Sequence, residues 1–201
     1  NKIFINKNNY AYTRINKVPI LLHHLVKQYN DISIDHINRI TLDNRLENLR
    51  YATQSIQNKN MSKKRRNVKL PDGCKIDSQD IPTFIWYIKE NGLHGDRWMV
   101  EIKHKYNWKT TSSKKYSTEY KFELAKKHLK NLIETKPEIF KEHSINGEMI
   151  DENAKRLKNE YYKIVSLVKP DFEIIENKKN YLDLKLDYLN DTEKELLSKL
   201  I

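Results

Sequence analysis

The 201-residue sequence has only one cysteine, Cys74, and no long apolar run. A single thiol can form neither a disulfide within the chain nor a four-cysteine zinc site, so we expect no zinc and an intracellular protein. No segment predicts a membrane-spanning helix or a signal peptide. The start of the chain also lacks a strongly amphipathic basic helix. These absences predict a protein without a membrane partner.

Acidic residues are scarce in the first third of the chain. Residues 1–70 carry 14 Lys and Arg against 4 Asp and Glu, whereas residues 71–136 carry 13 against 9, and residues 137–201 carry 11 against 14. The net charge of +11 therefore comes mainly from the beginning of the chain, with a smaller excess in the middle. This distribution favours a polyanionic partner, and double-stranded DNA is the one we expect.

Residues 34–61 combine an Asp-His pair with a dense run of Asn, Arg and Gln. Asp35 offers the carboxylate oxygen that Mg²⁺ prefers, and His36, free of the metal, can take a proton near neutral pH. A solvated turn explains any one of these residues, but the whole set favours a site for phosphodiester hydrolysis. Three amides are candidates for a second oxygen ligand or for orienting the base: Asn48, Gln57 and Asn58. Three arginines are candidates for holding phosphates: Arg39, Arg45 and Arg50.

This segment resembles the His-Asn-His (HNH) nucleases, specifically the homing endonuclease branch of phages and large DNA viruses. The matching motifs are HHLV at His23–Val26, DH at residues 35–36, DNR at Asp43–Arg45 and NLR at Asn48–Arg50. The resemblance covers residues 1–66. It implies a small ββα-metal module, in which a two-stranded ribbon and a helix surround one divalent ion.

The resemblance also implies roles for individual residues. His36 is expected to be the general base, and Asn48 the central Asn that braces the loop and fixes the imidazole. Apart from the resemblance, Arg50 and Arg45 are our candidates for holding the substrate phosphate. His23 is expected to be structural, and His24 is a candidate phosphate contact.

The metal implied by the resemblance is one Mg²⁺ or Mn²⁺ ion per chain. Asp35 is the first ligand. The usual position of the closing ligand holds Gln57 where the family has Asn, and an Asn follows at Asn58. Both residues therefore remain candidates for the second ligand.

A polar connection at residues 67–80, with the turn sequence Pro71-Asp72-Gly73, predicts a domain boundary. The basic run before it is open to three interpretations: a solvated linker, a nuclear-import signal or a phosphate contact. We favour the phosphate contact because the run directly follows the catalytic helix. Its members are Lys63, Lys64, Arg65 and Arg66.

Three predicted strands and a helix follow the connection. Aromatic and β-branched residues recur with period two in Phe84–Lys89, Arg97–Lys103 and Lys105–Tyr116. In the second strand, this alternation assigns Trp98 to the core. After Ser117, apolar residues recur every three or four positions, which predicts a helix that packs one face on the sheet.

Residues 81–136 resemble the Apetala-type DNA-binding domain of plant transcription factors and many viral and phage HNH nucleases. The likeness rests on the segments WMVEIK, KTTSSKKY and ELAKKHLKNL. In that family the sheet enters the major groove of double-stranded DNA. The residues matching its DNA contacts are Arg97, Lys103, Lys105, Trp108, Lys109, Lys114 and Lys115.

Residues 137–201 predict a helical C-terminal region. Apolar residues from Ala154 to Val168 form a packing face that ends before Pro170, and Thr192 with Glu195 matches a capping box. Three roles remain open: bracing the sheet domain, forming a homodimer or contacting another partner.

Together these features predict an α+β chain: a ββα-metal nuclease module, a three-stranded antiparallel sheet with a helix, and a helical tail. The predicted reaction is metal-dependent hydrolysis of DNA to 5′-phosphate and 3′-hydroxyl ends. One alternative is a DNA-binding protein whose nuclease has decayed. The presence of Gln57 where the family has Asn favours this alternative, whereas the intact Asp35-His36 pair argues against it. Another is an RNA-binding or RNA-cutting protein. The target sequence and the choice between nicking and double-strand cleavage remain open.

Overall fold

The computed structural model describes residues 2–171 and 180–200. They form a mixed α+β structure, which confirms the predicted fold class. The chain divides into two compact units. The first unit contains residues 2–62 and 143–171, and the second contains Lys63–Glu142 and 180–200. The region predicted as one C-terminal tail is therefore shared between the two units.

The first unit begins with a three-stranded antiparallel sheet. Its strands are β1 (Ile3–Ile5), β2 (Ala11–Ile15) and β3 (Val18–Leu21), in the order β1-β2-β3. The short helix α1 (Leu22–Val26) follows directly and carries the two consecutive histidines. The sheet and α1 thus bring the HHLV motif to one end of the first unit.

A two-stranded ribbon and a helix come next, as predicted. Strands β4 (Ile34–His36) and β5 (Leu49–Tyr51) are antiparallel, and Asp35 lies opposite Arg50. Helix α2 (Gln54–Lys59) follows, capped by Thr53, whose side chain accepts a hydrogen bond from the amide of Ile56. Such a cap satisfies an amide that the helix itself leaves unpaired.

Helix α4 (Glu152–Val168) completes the first unit. Its side chains Ala154 and Leu157 are buried, as the predicted packing face requires. The prediction was wrong for the second half of the helix, where Ile164 is 46% exposed and Val168 is 82% exposed. The helix ends two residues before Pro170, as expected for a residue that disfavours helical geometry in its predecessor.

The second unit contains an antiparallel sheet, β6 (Ile85–Ile88), β7 (Arg97–Ile102) and β8 (Tyr106–Lys109), and the long helix α3 (Thr118–Thr135). The predicted alternation in β7 is confirmed, because Trp98, Val100 and Ile102 are fully buried. The ring of Trp98 packs 4.6 Å from that of Phe122 of α3, and its Nε1 donates to the carbonyl of Thr118.

The third strand is shorter than predicted. It ends at Lys109, whereas the alternation suggested a strand up to residue 116. In residues 111–115, the hydroxyls of Thr111 and Ser113 accept hydrogen bonds from the amides of Ser113 and Lys115. These local bonds replace the pairing of a strand.

Residues 180–200 pack on α3 and end in helix α5 (Asp191–Lys199). Leu189 and Leu197 form a buried cluster with Tyr120 of α3. The capping box of α5 is formed by Asn190 and Glu193, so the prediction of Thr192 with Glu195 was wrong. Glu193 also accepts a hydrogen bond from the amide of Ser117, which ties the cap of α5 to the start of α3.

Candidate active site

Strand β4 places Asp35 and His36 at one cavity of about 660 Å³ in the first unit. Four amide side chains from α2 and its C-terminal end also line this cavity: Gln54, Gln57, Asn58 and Asn60. The ribbon and the helix therefore bring together a carboxylate, an imidazole and several amides that lie up to 25 positions apart in the sequence.

The carboxylate of Asp35 is held through one of its oxygens. Its Oδ2 accepts from Nε and Nη2 of Arg50 at 3.0 and 2.8 Å and from Nδ2 of Asn60 at 3.0 Å. Asp35 and Arg50 lie opposite each other on β4 and β5, so the ribbon itself sets up this pair. Within the described part of the chain, all the hydrogen bonds that Asp35 receives fall on Oδ2, which leaves Oδ1 for another ligand.

The imidazole of His36 is 4% exposed and contacts Asn44. Its Nε2 lies 3.4 Å from Oδ1 of Asn44. An amide oxygen only accepts, so this contact assigns the ring proton to Nε2 and leaves a lone pair on Nδ1. Burial lowers the pKa of His36 below its ordinary value, although the contact with Asn44 opposes the shift. The ring is therefore neutral near pH 7, as a base must be.

Asn48 is fully buried and holds the loop between β4 and β5. Its Oδ1 accepts from the amide of Asn38 at 2.9 Å, and its Nδ2 donates to the carbonyl of Asp43 at 2.8 Å. The amide that contacts the imidazole is that of Asn44, a residue that the sequence analysis did not single out. The only sequence signal for Asn44 was its place inside the DNR motif.

The two candidate closing ligands differ in what their side chains contact. The Nε2 atom of Gln57 donates to the hydroxyl of Ser33 at 2.6 Å, which leaves the Gln57 oxygen free of that bond. The Oδ1 atom of Asn58 instead accepts from Gln54 at 3.1 Å. The sequence analysis also missed Asn60, whose Nδ2 donates both to Asp35 and, at 2.9 Å, to the carbonyl of His36. The sequence could have indicated Asn60 through its spacing, because it lies three residues after Gln57 and so on the same side of the helix end.

Arg39 and Arg45 are engaged within the first unit. Arg39 donates to Oδ1 of Asn60 at 3.2 Å and to the carbonyl of Gly147 at 2.6 Å. Arg45 makes two hydrogen bonds to Asp43, at 2.8 and 2.9 Å, and one to the carbonyl of Leu157 at 2.9 Å. These contacts hold both guanidinium groups within the first unit, and phosphate binding by Arg39 and Arg45 stays a prediction.

His23 borders the site on another side. It is 5% exposed, and its ring centroid lies 5.1 Å from that of His36 in an edge-on arrangement. Burial and the neighbouring His36 and His24 lower the pKa of His23 to about 4. The ring of His24 stacks on Tyr29 at 4.6 Å. The neutral His23 ring thus lies beside that of His36, and its buried Nδ1 makes no hydrogen bond.

The basic run belongs to the second unit. Lys63 donates to the carbonyl of Gln79 at 2.7 Å, and the guanidinium of Arg66 lies 4.3 Å from the ring of Trp86. Lys64 and Arg65 are exposed. The run therefore offers two exposed cations, and its other two side chains are bound to the second unit.

The predicted DNA contacts of the sheet domain fall into three groups. Trp108 faces helix α3, where its ring stacks on His128 at 3.9 Å, so it does not lie on the open face of the sheet. The strand register places Arg97, Met99 and Lys109 on the other face, away from Trp98 and α3. Four further lysines are exposed, in the turn between β7 and β8 and before α3: Lys103, Lys105, Lys114 and Lys115.

Comparisons with known proteins found a viral relative and a family model that match this chain. The chain is 30% identical over 173 residues to an uncharacterized protein of Acanthamoeba polyphaga mimivirus, and the match covers 81% of this chain and 48% of that protein. The chain thus spans about half the length of this relative. No solved structure matches. Among the described residues, no helix is both long and apolar enough to cross a membrane. Residues 27–59, which include Asp35 and His36, match the family model described as HNH endonuclease.

Proposed function

We propose that this chain is a metal-dependent DNA endonuclease of the homing type that leaves 5′-phosphate and 3′-hydroxyl ends. One observation carries the proposal: Asp35 and His36 line the same cavity, one with an unbonded carboxylate oxygen and the other with a neutral ring. A carboxylate that can hold a metal and a separate base are the two groups that hydrolysis of a phosphodiester needs.

The donor set at this cavity suits one hard divalent ion. Across the residues that the structure describes, no cluster of three or more His, Cys, Asp or Glu side chains could hold a metal. Asp35 Oδ1 and an amide oxygen form a smaller set, which fits Mg²⁺ or Mn²⁺ because these ions keep several waters and also bind substrate phosphate. Gln57 is favoured over Asn58 because the Asn58 oxygen already accepts from Gln54. When bound, the ion would stabilise the charge on the phosphate and the leaving 3′ oxygen.

The protein's own residues supply the proton transfer and the positioning. Nδ1 of His36 takes a proton from a water placed in line with the scissile bond, and Asn44 keeps the ring in the required tautomer. Arg50 uses Nε and Nη2 to hold Asp35, so its Nη1 remains for a substrate phosphate. Asn48 keeps the loop that carries Asn44 in place.

Double-stranded DNA is the proposed substrate. The positive charge of residues 1–70 and the open face of the β6-β7-β8 sheet, with Arg97 and Lys109, both favour it. The Apetala-type likeness of residues 81–136 supports the same role. One site per chain cuts one strand, so a double-strand break needs a homodimer or two successive events.

A plasmid cleavage assay tests the proposal. Wild-type protein and the His36→Ala variant are each incubated with Mg²⁺, Mn²⁺ or a chelator, on several plasmids because a site-specific enzyme ignores DNA without its site. We expect metal-dependent conversion of supercoiled DNA to open-circle or linear forms, reduced roughly 100-fold or more in the variant. DNA affinity in a shift assay should change little. Cleavage by the variant at the wild-type rate would overturn the assignment of His36.

The ion pair between Arg50 and Asp35 favours a second candidate, a sequence-specific DNA-binding protein with a decayed nuclease. In that case the arginine occupies the carboxylate permanently, and Gln57 does not complete a metal site. Tight DNA binding without cleavage on any substrate or metal would support this function over the first.

A further inference from the structure

We infer that residues 143–171, far from the HNH motif in sequence, form part of the catalytic module and position Asp35 and His36 through Arg39 and Arg45. This inference rests on the proposed function. It also states that residues 1–66, which carry the whole motif, do not by themselves hold the site in its working geometry.

The first connection runs from Gly147 to the carboxylate. The carbonyl of Gly147 accepts from Nη1 of Arg39 at 2.6 Å, across 108 positions of sequence. Nε of the same guanidinium donates to Oδ1 of Asn60, and Nδ2 of Asn60 donates to Asp35 Oδ2 and to the carbonyl of His36. Gly147 is thus connected by two side chains to both predicted catalytic positions.

The second connection runs from α4 to the loop behind the base. The carbonyl of Leu157 accepts from Nη2 of Arg45, and Glu160 lies 3.5 Å from its Nη1. Arg45 forms an ion pair with Asp43, whose side chain is only 1% exposed. The Asp43 carboxylate also accepts a hydrogen bond from Nδ2 of Asn38 at 2.6 Å. A buried carboxylate needs such partners, since an unpaired buried charge is costly. Asn44, which contacts the His36 ring, lies between Asp43 and Arg45 in the sequence.

The residue types fit this positioning role. A guanidinium is a rigid planar fork that can bridge two acceptors, whereas a lysine ammonium is a point charge on a flexible stem. Arg39 also has φ of 62°, a left-handed conformation that a non-glycine residue adopts rarely and that the surroundings must hold. The contacts to Gly147 and Asn60 fix the side chain of this residue.

A matched pair of glycine variants tests the first connection in the full chain. Gly147 has φ of 92° and Gly73, in the second unit, has φ of 78°, so alanine is strained at both positions. Gly147→Ala displaces the acceptor of Arg39 while both arginines remain. We expect its single-turnover cleavage rate at saturating protein to fall roughly tenfold or more, because small displacements of catalytic groups are costly. DNA affinity should be unchanged, and Gly73→Ala should cleave like wild type.

Arginine variants test both connections with a readout that does not need turnover. The ¹⁵N signals of the His36 ring are recorded by NMR in Arg39→Lys and Arg45→Lys, with Lys155→Gln on the exposed side of α4 as the control. We expect the ring signals to shift in the two arginine variants and to stay in place in the control. If the wild type does not cleave DNA, the proposed function fails, but these signals still decide whether residues 143–171 position the site.

Several results would overturn the inference. One is an equal loss of cleavage in Gly147→Ala and Gly73→Ala, which would mean a general loss of stability. Another is unchanged His36 signals in both arginine variants. A third is weakened DNA binding with an unchanged saturating rate in the arginine variants, which would make Arg39 and Arg45 phosphate contacts as the sequence first suggested.

Discussion

Asn44 and Arg50 show how single residues prepare this site before any substrate arrives. Arg50 orients the Asp35 carboxylate by binding one oxygen from the opposite strand, and Asn44 selects the tautomer of His36. Neither residue needs to take part in bond breaking. Both act by fixing the direction in which a lone pair points.

The role of Asn44 can be tested by replacing it with alanine. Loss of its carbonyl oxygen frees the imidazole to adopt the other tautomer, so we expect the single-turnover cleavage rate to fall roughly 10- to 100-fold. The melting temperature should change little, since Asn44 is half-buried and Asn48 still holds the loop. An unchanged rate would show that the 3.4 Å contact does not determine the tautomer.

His23 predicts a dependence of stability on pH. Its pKa is about 4 in the folded protein and ordinarily 6.5, so below pH 6.5 the unfolded chain binds a proton that the folded chain does not. Its contribution to stability is therefore complete above pH 6.5 and falls as the pH drops toward 4, by about 2–3 kcal/mol. Urea unfolding at pH 4.5 and 7.5 should show a smaller loss for His23→Gln than for wild type. Equal losses in the two proteins would contradict the assignment.

At the level of elements, residues 180–200 complete the core of the second unit by packing on α3. Helix α3 uses one face for the sheet and another for Leu189 and Leu197. Of the three roles open for the C-terminal region, this part braces the sheet domain. The other part, α4, belongs to the first unit.

Truncating Leu197 tests this packing. It is 2% exposed, so Leu197→Ala should lower the free energy of unfolding by about 2–4 kcal/mol through lost burial and a cavity. The control is Leu200→Ala, whose side chain is 54% exposed and should cost little. Both are measured by urea unfolding. Similar small effects for the two variants would mean that α5 contributes little to the second unit.

At the scale of the whole molecule, charge is distributed according to the proposed partner. Residues 1–136 carry the positive excess, while residues 137–201 are slightly acidic. The basic side chains thus accompany the nuclease motif and the sheet, and the C-terminal segments supply packing. Binding through many phosphates predicts that DNA affinity falls steeply with added salt.

A pair of lysine variants tests the open face of the sheet. Lys109→Gln, on β8, should weaken DNA binding and reduce the slope of log affinity against log salt by about one. Lys130→Gln, exposed on α3, is the control and should leave the slope unchanged. Binding is measured by fluorescence anisotropy over a series of salt concentrations. If both variants behave alike, DNA does not lie on the sheet face.

Features that depend on near neighbours in the chain could be predicted from the sequence. The alternation in β7, the apolar step of α4 and the spacing of the Asp-His and NLR motifs are local patterns, so the elements and the Asp35-His36 pair were predictable. Local pattern failed where side chains competed with strand pairing, as at Thr111 and Ser113.

The contacts of the arginines and amides could not be predicted, because they depend on how the chain folds. Arg39 and Arg45 reach acceptors more than 100 positions away, and Asn60 meets Asp35 across the ribbon. Trp108 faces α3 because the strand register pairs it with the buried Val100, and its ring stacks on His128 there. A long polar side chain can bind many chemically similar donors or acceptors. Which of them it binds depends on which lie within reach once the chain has folded.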